Sequence, residues 1–134
     1  MPVADLRGSE VILLVEDNEP VREFAKSQLV DLGYRVLEAT NGKDALKVLG
    51  KHKDIDLLFT DVVMPGGLTG RELALEACRL NPMLKVLFCS GYAENAIHHH
   101  GLLEKDMQLL NKPYTRLELA KRVRGMLVES ESAV

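Results

Sequence analysis

Short apolar runs separated by longer amphipathic segments make up most of this chain. Val11–Val15, Asp56–Thr60 and Lys85–Ser90 each centre on consecutive apolar residues. Continuous apolarity is typical of strands covered on both faces, as in a parallel sheet. Tyr34–Ala39 alternates more between apolar and polar residues, which indicates a strand nearer the sheet edge, and Met107–Leu110 predicts a short fifth strand.

Segments with helical spacing follow the strands. Pro20 suits the first turn of a helix that Asn18 or Asp17 can cap and that Gly33 ends. Its predicted buried stripe is Val21, Phe24, Ala25, Leu29 and Leu32. The other predicted helices are Lys43–Lys51, Gly70–Leu80 (with Leu73, Ala74, Ala77 and Leu80 inward), a weak Glu94–Gly101, and Thr115–Val128.

The last of these helices carries the clearest local signals. Thr115 followed by Glu118 is the pattern of a capping box. Its predicted buried face is Leu119, Ala120, Val123, Met126 and Leu127. Five strands alternating with five helices predict one α/β domain with a parallel sheet and right-handed crossovers. We assign residues 1–10 to a tail or linker, 11–128 to the domain and 129–134 to a second tail.

Composition and charge narrow the classes of function. The chain has 134 residues and a formal net charge of −3, and no basic stripe favours a nucleic-acid partner. Two cysteines outside any CxxC pair are typical of reduced thiols in a cytoplasmic protein. No window of about 18 apolar residues predicts a membrane span, and residues 1–10 lack the apolar segment of a signal peptide.

Acidic residues follow two of the predicted strands. Glu16 and Asp17 come after the first strand, and Asp61 comes after the third. In doubly wound sheets of order 2-1-3-4-5 these two strands are adjacent, and ligands bind beyond their carboxyl ends. Ser90 and Lys112 follow the fourth and fifth strands. We therefore expect three carboxylates, a hydroxyl and an ammonium to converge at one edge.

Such a carboxylate cluster needs a counter-charge. Two like charges about 4 Å apart repel by roughly 4 kcal/mol at an effective dielectric constant near 20. Carboxylates with a carbonyl and waters suit Mg²⁺, with Mn²⁺ as a substitute. A cation, Lys112 and Ser90 around one carboxylate oxygen would form a site for a phosphoryl group that Asp61 attacks in line.

These residues resemble a known family, the receiver domains of two-component response regulators. The resemblance covers about Val11 to Val128 and rests on four motifs in order. They are Val15-Glu16-Asp17-Asn18, Asp61-Val62-Val63-Met64-Pro65, Ser90-Gly91 and Lys112-Pro113. It implies a (βα)5 flavodoxin-like three-layer sandwich with sheet order 2-1-3-4-5. The sequence around Ser90 and Lys112 is most similar to that of receivers attached to hybrid sensor histidine kinases.

The resemblance also implies a role for each motif residue. Asp61 is the expected phosphoacceptor, and Glu16, Asp17 and Asp61 are expected to hold Mg²⁺ together with the backbone carbonyl of Val63. Ser90 and Lys112 would bind the phosphoryl oxygens.

A histidine kinase or histidine phosphotransfer protein would donate the phosphoryl group. Phosphorylation would then alter a docking surface around the predicted fourth helix, fifth strand and fifth helix for a downstream protein that the sequence does not name. No turnover of a small molecule is expected.

The chain departs from the family at two places. Leu109 stands where Tyr or Phe is usual, which puts an aromatic coupling to Ser90 in doubt. The loop Met64–Gly70 is one residue longer than the commonest form. Tyr92, two residues after Ser90, is either a shield of the phosphoryl group from water or an aromatic residue packed on the surface.

Other interpretations of the same residues remain open at this point. Alone, Asp61 would merely cap a turn. A Mg²⁺-dependent phosphatase would want a second acid two residues after the nucleophile, where Val63 stands. A nucleotide-binding module would want a glycine-rich turn after the first strand, and a degenerate receiver would serve for docking alone. His98, His99 and His100 are consecutive and cannot all ligate one ion from a helix.

Overall fold

A five-stranded sheet forms the centre of the molecule. The computed structural model describes residues 8–62, 68–90, 107–111 and 114–132, with the backbone alone for Ser90, Met107, Gln108, Asn111 and 128–132. The strands are β1 Val11–Val15, β2 Arg35–Ala39, β3 Leu57–Asp61, β4 Lys85–Ser90 and β5 Met107–Asn111. The helices are α1 Glu19–Asp31, α2 Gly42–Lys51, α3 Gly70–Leu80 and α4 Arg116–Ser132.

The sheet is parallel throughout and runs in the order β2-β1-β3-β4-β5. This confirms the predicted α/β flavodoxin-like fold and the predicted edge position of β2. The order places β1 beside β3, with Val15 in register with Thr60. All the carboxyl ends of the strands therefore lie at one edge. None of the described helices is long and apolar enough to cross a membrane.

Both faces of the sheet are covered by apolar side chains, which explains why the central strands lack alternation. One face packs on α1 and α4, with Leu29, Leu119 and Val123 fully buried. The other packs on α2 and α3, with Ala45, Leu73 and Ala77 fully buried. All five residues predicted for the buried face of the last helix are buried: Leu119, Ala120, Val123, Met126 and Leu127.

The predicted stripe of α1 is wrong at its N-terminal half. Ala25, Leu29 and Leu32 are buried, but Val21 is 38% exposed and Phe24 is 61% exposed. Phe24 lies about 100° around the helix axis from Ala25 and so turns away from the sheet. Leu80, predicted inward, is also exposed at the last residue of α3.

The helices begin where the capping residues in the sequence predict. Val21 N donates to Asn18 Oδ1 over 3.0 Å, which selects Asn18 as the cap of α1. The predicted capping box of the last helix is present, with Thr115 N to Glu118 Oε1 at 2.8 Å and Glu118 N to Thr115 Oγ1 at 3.1 Å. Thr69 and Glu72 form a second box at α3, and the predicted helix Glu94–Gly101 lies outside the described residues.

Residues before β1 already contact the domain. Gly8 N donates to Leu32 O over 3.0 Å, and Gly33 adopts a φ of 98° against Gly8. Arg124 on α4 donates two hydrogen bonds to the Glu10 carboxylate, at 3.0 and 2.5 Å. The division of the chain into tails and domain stays a prediction, but residues 8–10 are tied to α1 and α4.

We expect Glu10→Gln to destabilise the domain in a pH-dependent way. Arg124 lowers the pKa of the Glu10 carboxyl below its ordinary value of 4.5. A lowered pKa stabilises the fold above pH 4.5, and this contribution is lost as the pH falls through the lower folded value. Because the two side chains are only 11% and 20% exposed, the loss at pH 7 should be roughly 1–3 kcal/mol.

Urea unfolding at pH 7 and pH 3 measures this effect. The difference between wild type and Glu10→Gln should shrink at pH 3, because the Glu10 carboxyl becomes increasingly protonated as the pH falls below 4.5. Glu76→Gln is the matched control, since its pair with Arg79 is 45% and 70% exposed and solvent-exposed ion pairs contribute little to stability. An equal loss for the two variants at pH 7 would contradict the prediction.

Candidate functional site

Three carboxylates meet where β1 and β3 end. Glu16 and Asp17 follow the last residue of β1, and Asp61 is the last residue of β3. Because these strands are neighbours in register, one carboxylate oxygen from each acid lies within 4.8 Å of the others. The structure thus brings together Glu16, Asp17 and Asp61, as predicted from the strand ends.

The cluster combines a buried acid with accessible ones. Glu16 is only 5% exposed, Asp61 is half-buried and Asp17 is exposed. Repulsion among three negative charges at this separation favours a bound cation. Carboxylate oxygens at an open edge, with room for water ligands, are the donor set that Mg²⁺ prefers. These residues therefore fit a magnesium ion.

Backbone contacts fix the loop that carries Glu16 and Asp17. Glu16 N donates to Ala39 O at the end of β2, over 3.1 Å. Arg22 Nη1 on α1 donates to Glu16 O over 3.0 Å. The start of α1 is held in turn by its Asn18 cap. The two acids thus lie on a turn between a strand and a helix that is hydrogen-bonded to β2 and α1.

The backbone around Asp61 is held from three sides. Thr60 Oγ1 donates to Asp61 O over 3.1 Å, and Val62 N donates to Cys89 O over 3.3 Å. Gly70 N, at the start of α3, donates to Val62 O over 2.8 Å. A Cβ atom on Gly70 would lie 1.9 Å from Asp61 O. Only glycine permits α3 to begin this close to the strand end.

Tyr114 shares a cleft with two of the three acids, Glu16 and Asp61. Cys89 also lines this open cleft, and the ring of Tyr114 packs at a tilt against Phe59 with centroids 6.3 Å apart. Burial, and to a smaller extent Cys89, Asp61 and Glu16, raises the pKa of the Tyr114 hydroxyl. The phenol therefore stays protonated and faces the acids as a neutral group.

Of the remaining predicted site residues, the structure describes only the backbone of Ser90. Ser90 is the last residue of β4 and pairs in register with Asn111 of β5, but its side chain is not among those described. Val63 and Lys112 lie outside the described residues, as do Tyr92 and the segment 98–100. Their roles, and that of Asp61 as phosphoacceptor, stay predictions.

Leu109 is buried on the α2 and α3 face of the sheet, at 8% exposed. An apolar side chain thus occupies the position where the family usually has an aromatic residue. The role that this substitution has in switching stays a prediction.

Sequence reasoning missed three residues that shape this site. Arg22 reads as an ordinary surface charge on α1, and nothing local shows that it reaches Glu16. Tyr114 follows Lys112-Pro113 at the carboxyl edge, so its position in the chain was a signal that could have found it. Gly70 was assigned to the start of a helix, but its contact with Asp61 depends on tertiary structure.

Comparisons with known proteins show the family to which the chain is similar. The family model for the response regulator receiver domain matches residues 12–124. The chain is 35% identical over 117 residues to the response regulator receiver protein CpdR of Brucella abortus, covering 87% of this chain and 96% of CpdR. It is 36% identical over 128 residues to the sensor kinase CckA of the same organism, but there it spans only 13% of the kinase.

Solved structures give the same result. The crystal structure of the receiver domain from the hybrid histidine kinase CckA has 37% identity and a TM-score of 0.74, covering 87% of this chain and 98% of that one. A response regulator receiver protein from Sinorhizobium medicae has 26% identity and a TM-score of 0.83, covering 91% and 97%. The chain therefore belongs to the family of response regulator receiver domains, the signal-receiving modules of two-component systems.

Proposed function

We propose that Asp61 accepts a phosphoryl group from a phosphohistidine on a partner protein, in a reaction that requires Mg²⁺. The observation that supports this most is the meeting of the Glu16, Asp17 and Asp61 carboxylates within 4.8 Å at the end of β3. A half-buried nucleophile beside two further acids is suited to a cation-assisted transfer. Membership in the receiver family supports the same reaction.

The proposed step is an in-line displacement at phosphorus. An Asp61 carboxylate oxygen donates an electron pair to phosphorus while the bond from phosphorus to the histidine nitrogen breaks, and the nitrogen keeps that bonding pair. Bound Mg²⁺ supplies positive charge that offsets the phosphoryl oxygens. Glu16 and Asp17 would help to hold the cation, and Ser90 and Lys112 would bind the remaining phosphoryl oxygens. The product is an aspartyl phosphate.

The proposed partners follow from the chemistry of the donor. A histidine kinase or a histidine phosphotransfer protein would present the phosphohistidine, in the cytoplasm. Phosphorylation would favour one of two arrangements of a surface that includes β5 and α4, which a downstream protein would read. The chain would catalyse only its own phosphorylation and dephosphorylation, without turnover of a small-molecule substrate.

Labelling by a small phosphodonor tests this function. The chain incubated with acetyl phosphate and Mg²⁺ should gain the mass of one phosphoryl group, and peptide mapping should place it on Asp61. The label should be absent with EDTA and removed by hydroxylamine, which cleaves acyl phosphates. No label with Mg²⁺, or a hydroxylamine-resistant label on Ser90, would contradict the proposal. Steady release of phosphate from an aryl phosphate would instead indicate a phosphatase.

A further inference from the structure

Arg22 connects the acidic loop to the edge of the sheet. Its Nη1 donates to Glu16 O over 3.0 Å, and its Nε donates to Glu38 Oε1 on β2 over 3.3 Å. Glu38 Oε2 accepts a further hydrogen bond from Lys26 Nζ over 3.0 Å. The Arg22 side chain is only 14% exposed. It is therefore packed in place between α1, β2 and the end of β1.

The contact with Glu16 O holds a particular peptide group. That carbonyl belongs to the peptide that joins Glu16 to Asp17, so its direction sets where both side chains leave the backbone. The preceding peptide is already held through Glu16 N and Ala39 O, at 3.1 Å. With Arg22 present, both peptides are attached to neighbouring elements before any cation arrives.

A guanidinium is suited to this position. It is planar, permanently charged and donates in fixed directions, whereas a lysine ammonium is a compact point charge whose three donors rotate. Glu38 fixes its orientation and offsets its charge beside the acids. A positive charge alone would repel an incoming cation, so any benefit of Arg22 to cation binding must come from geometry.

We propose that Arg22 is a positioning residue that preorganises Glu16 and Asp17 for the divalent cation, with Glu38 holding Arg22 in turn. This inference rests on the proposed function, because that function supplies the cation. Partners that orient metal ligands typically change metal affinity by 10–100-fold when they are removed. We expect about a tenfold rise in the dissociation constant for Arg22→Ala, a similar rise for Arg22→Lys and about threefold for Glu38→Gln.

Direct Mn²⁺ binding, measured by the electron paramagnetic resonance signal of the unbound ion, gives the dissociation constant without any phosphorylation. The matched control is Arg79→Ala, which removes an exposed guanidinium bonded to Glu76 in the last turn of α3, at the opposite end of that helix from Asp61. Urea unfolding in EDTA identifies conditions in which every variant is folded. Arg22→Lys and Glu38→Gln carry the test if Arg22→Ala does not fold.

The results separate this inference from the proposed function. Weaker binding in all three variants, with a labelling rate by acetyl phosphate that returns to the wild-type value at saturating Mg²⁺, supports Arg22 as a positioning residue. Unchanged or tighter binding in Arg22→Lys and Glu38→Gln overturns it. A wild-type chain that binds no Mn²⁺ would instead refute the cation site, and the function proposed above would fail with it.

Discussion

Asp61→Asn is expected to accept no phosphoryl group from acetyl phosphate under conditions that fully label the wild-type chain. The amide is close in shape to the carboxylate, but its neutral oxygen is a poor nucleophile and a weaker ligand for a cation. Because the side chain is only half-buried at the end of β3, the substitution should leave the fold intact. Intact-mass spectrometry after incubation with Mg²⁺ measures the loss.

The same variant should be more stable than the wild type without metal. Removing one of three carboxylates whose oxygens lie within 4.8 Å relieves repulsion, which should raise the free energy of unfolding by about 1–3 kcal/mol in EDTA. Asp54→Asn, an exposed acid outside the cluster, should change neither quantity. A label that persists in Asp61→Asn would show that another residue is the nucleophile.

Gly70→Ala is expected to have the second-largest effect, because it forces a methyl group against the backbone that presents Asp61. The new Cβ would lie 1.9 Å from Asp61 O and 2.9 Å from Val62 Cα. Both are backbone atoms, so α3 or the end of β3 must move. We expect a loss of about 2–3 kcal/mol in the free energy of unfolding and at least a tenfold slower labelling of Asp61, since displaced reacting groups lose rate steeply.

Two other helical glycines provide matched controls. A Cβ on Gly50 or Gly125 would meet nothing within 4 Å. Alanine at either position should stabilise its helix by up to about 1 kcal/mol and leave labelling unchanged. If Gly70→Ala is as stable and as rapidly labelled as Gly125→Ala, then the close approach of α3 to Asp61 has no importance for the site.

The sequence pattern of a single segment was sufficient to predict features whose interacting residues all lie within that segment. β1 and β4 run over the predicted ranges, since consecutive apolar residues between polar ones have few alternatives to a buried strand. The capping box at Thr115 and Glu118 formed as predicted, because its partners lie three residues apart. Thr69 and Glu72 have the same spacing and form a second capping box in the same way.

The same pattern was insufficient to predict features that depend on contacts between segments distant in the chain. Phe24 fits an apolar stripe on α1, but only the packing of α1 on the sheet shows that it faces solvent. Arg22 and Tyr114 belong to the site because a helix and a strand end happen to meet the acidic edge there. No periodicity within either segment contains that information.

The sequence by itself determined the class of fold, the family and the acids at the ends of β1 and β3, because hydrophobic period and strand-end chemistry are properties of neighbouring residues. Only the tertiary structure decided how close those acids lie, which guanidinium orients their loop and why α3 must begin at a glycine. These are distances of a few ångströms between elements, and they depend on how side chains fill the space between the helices and the sheet.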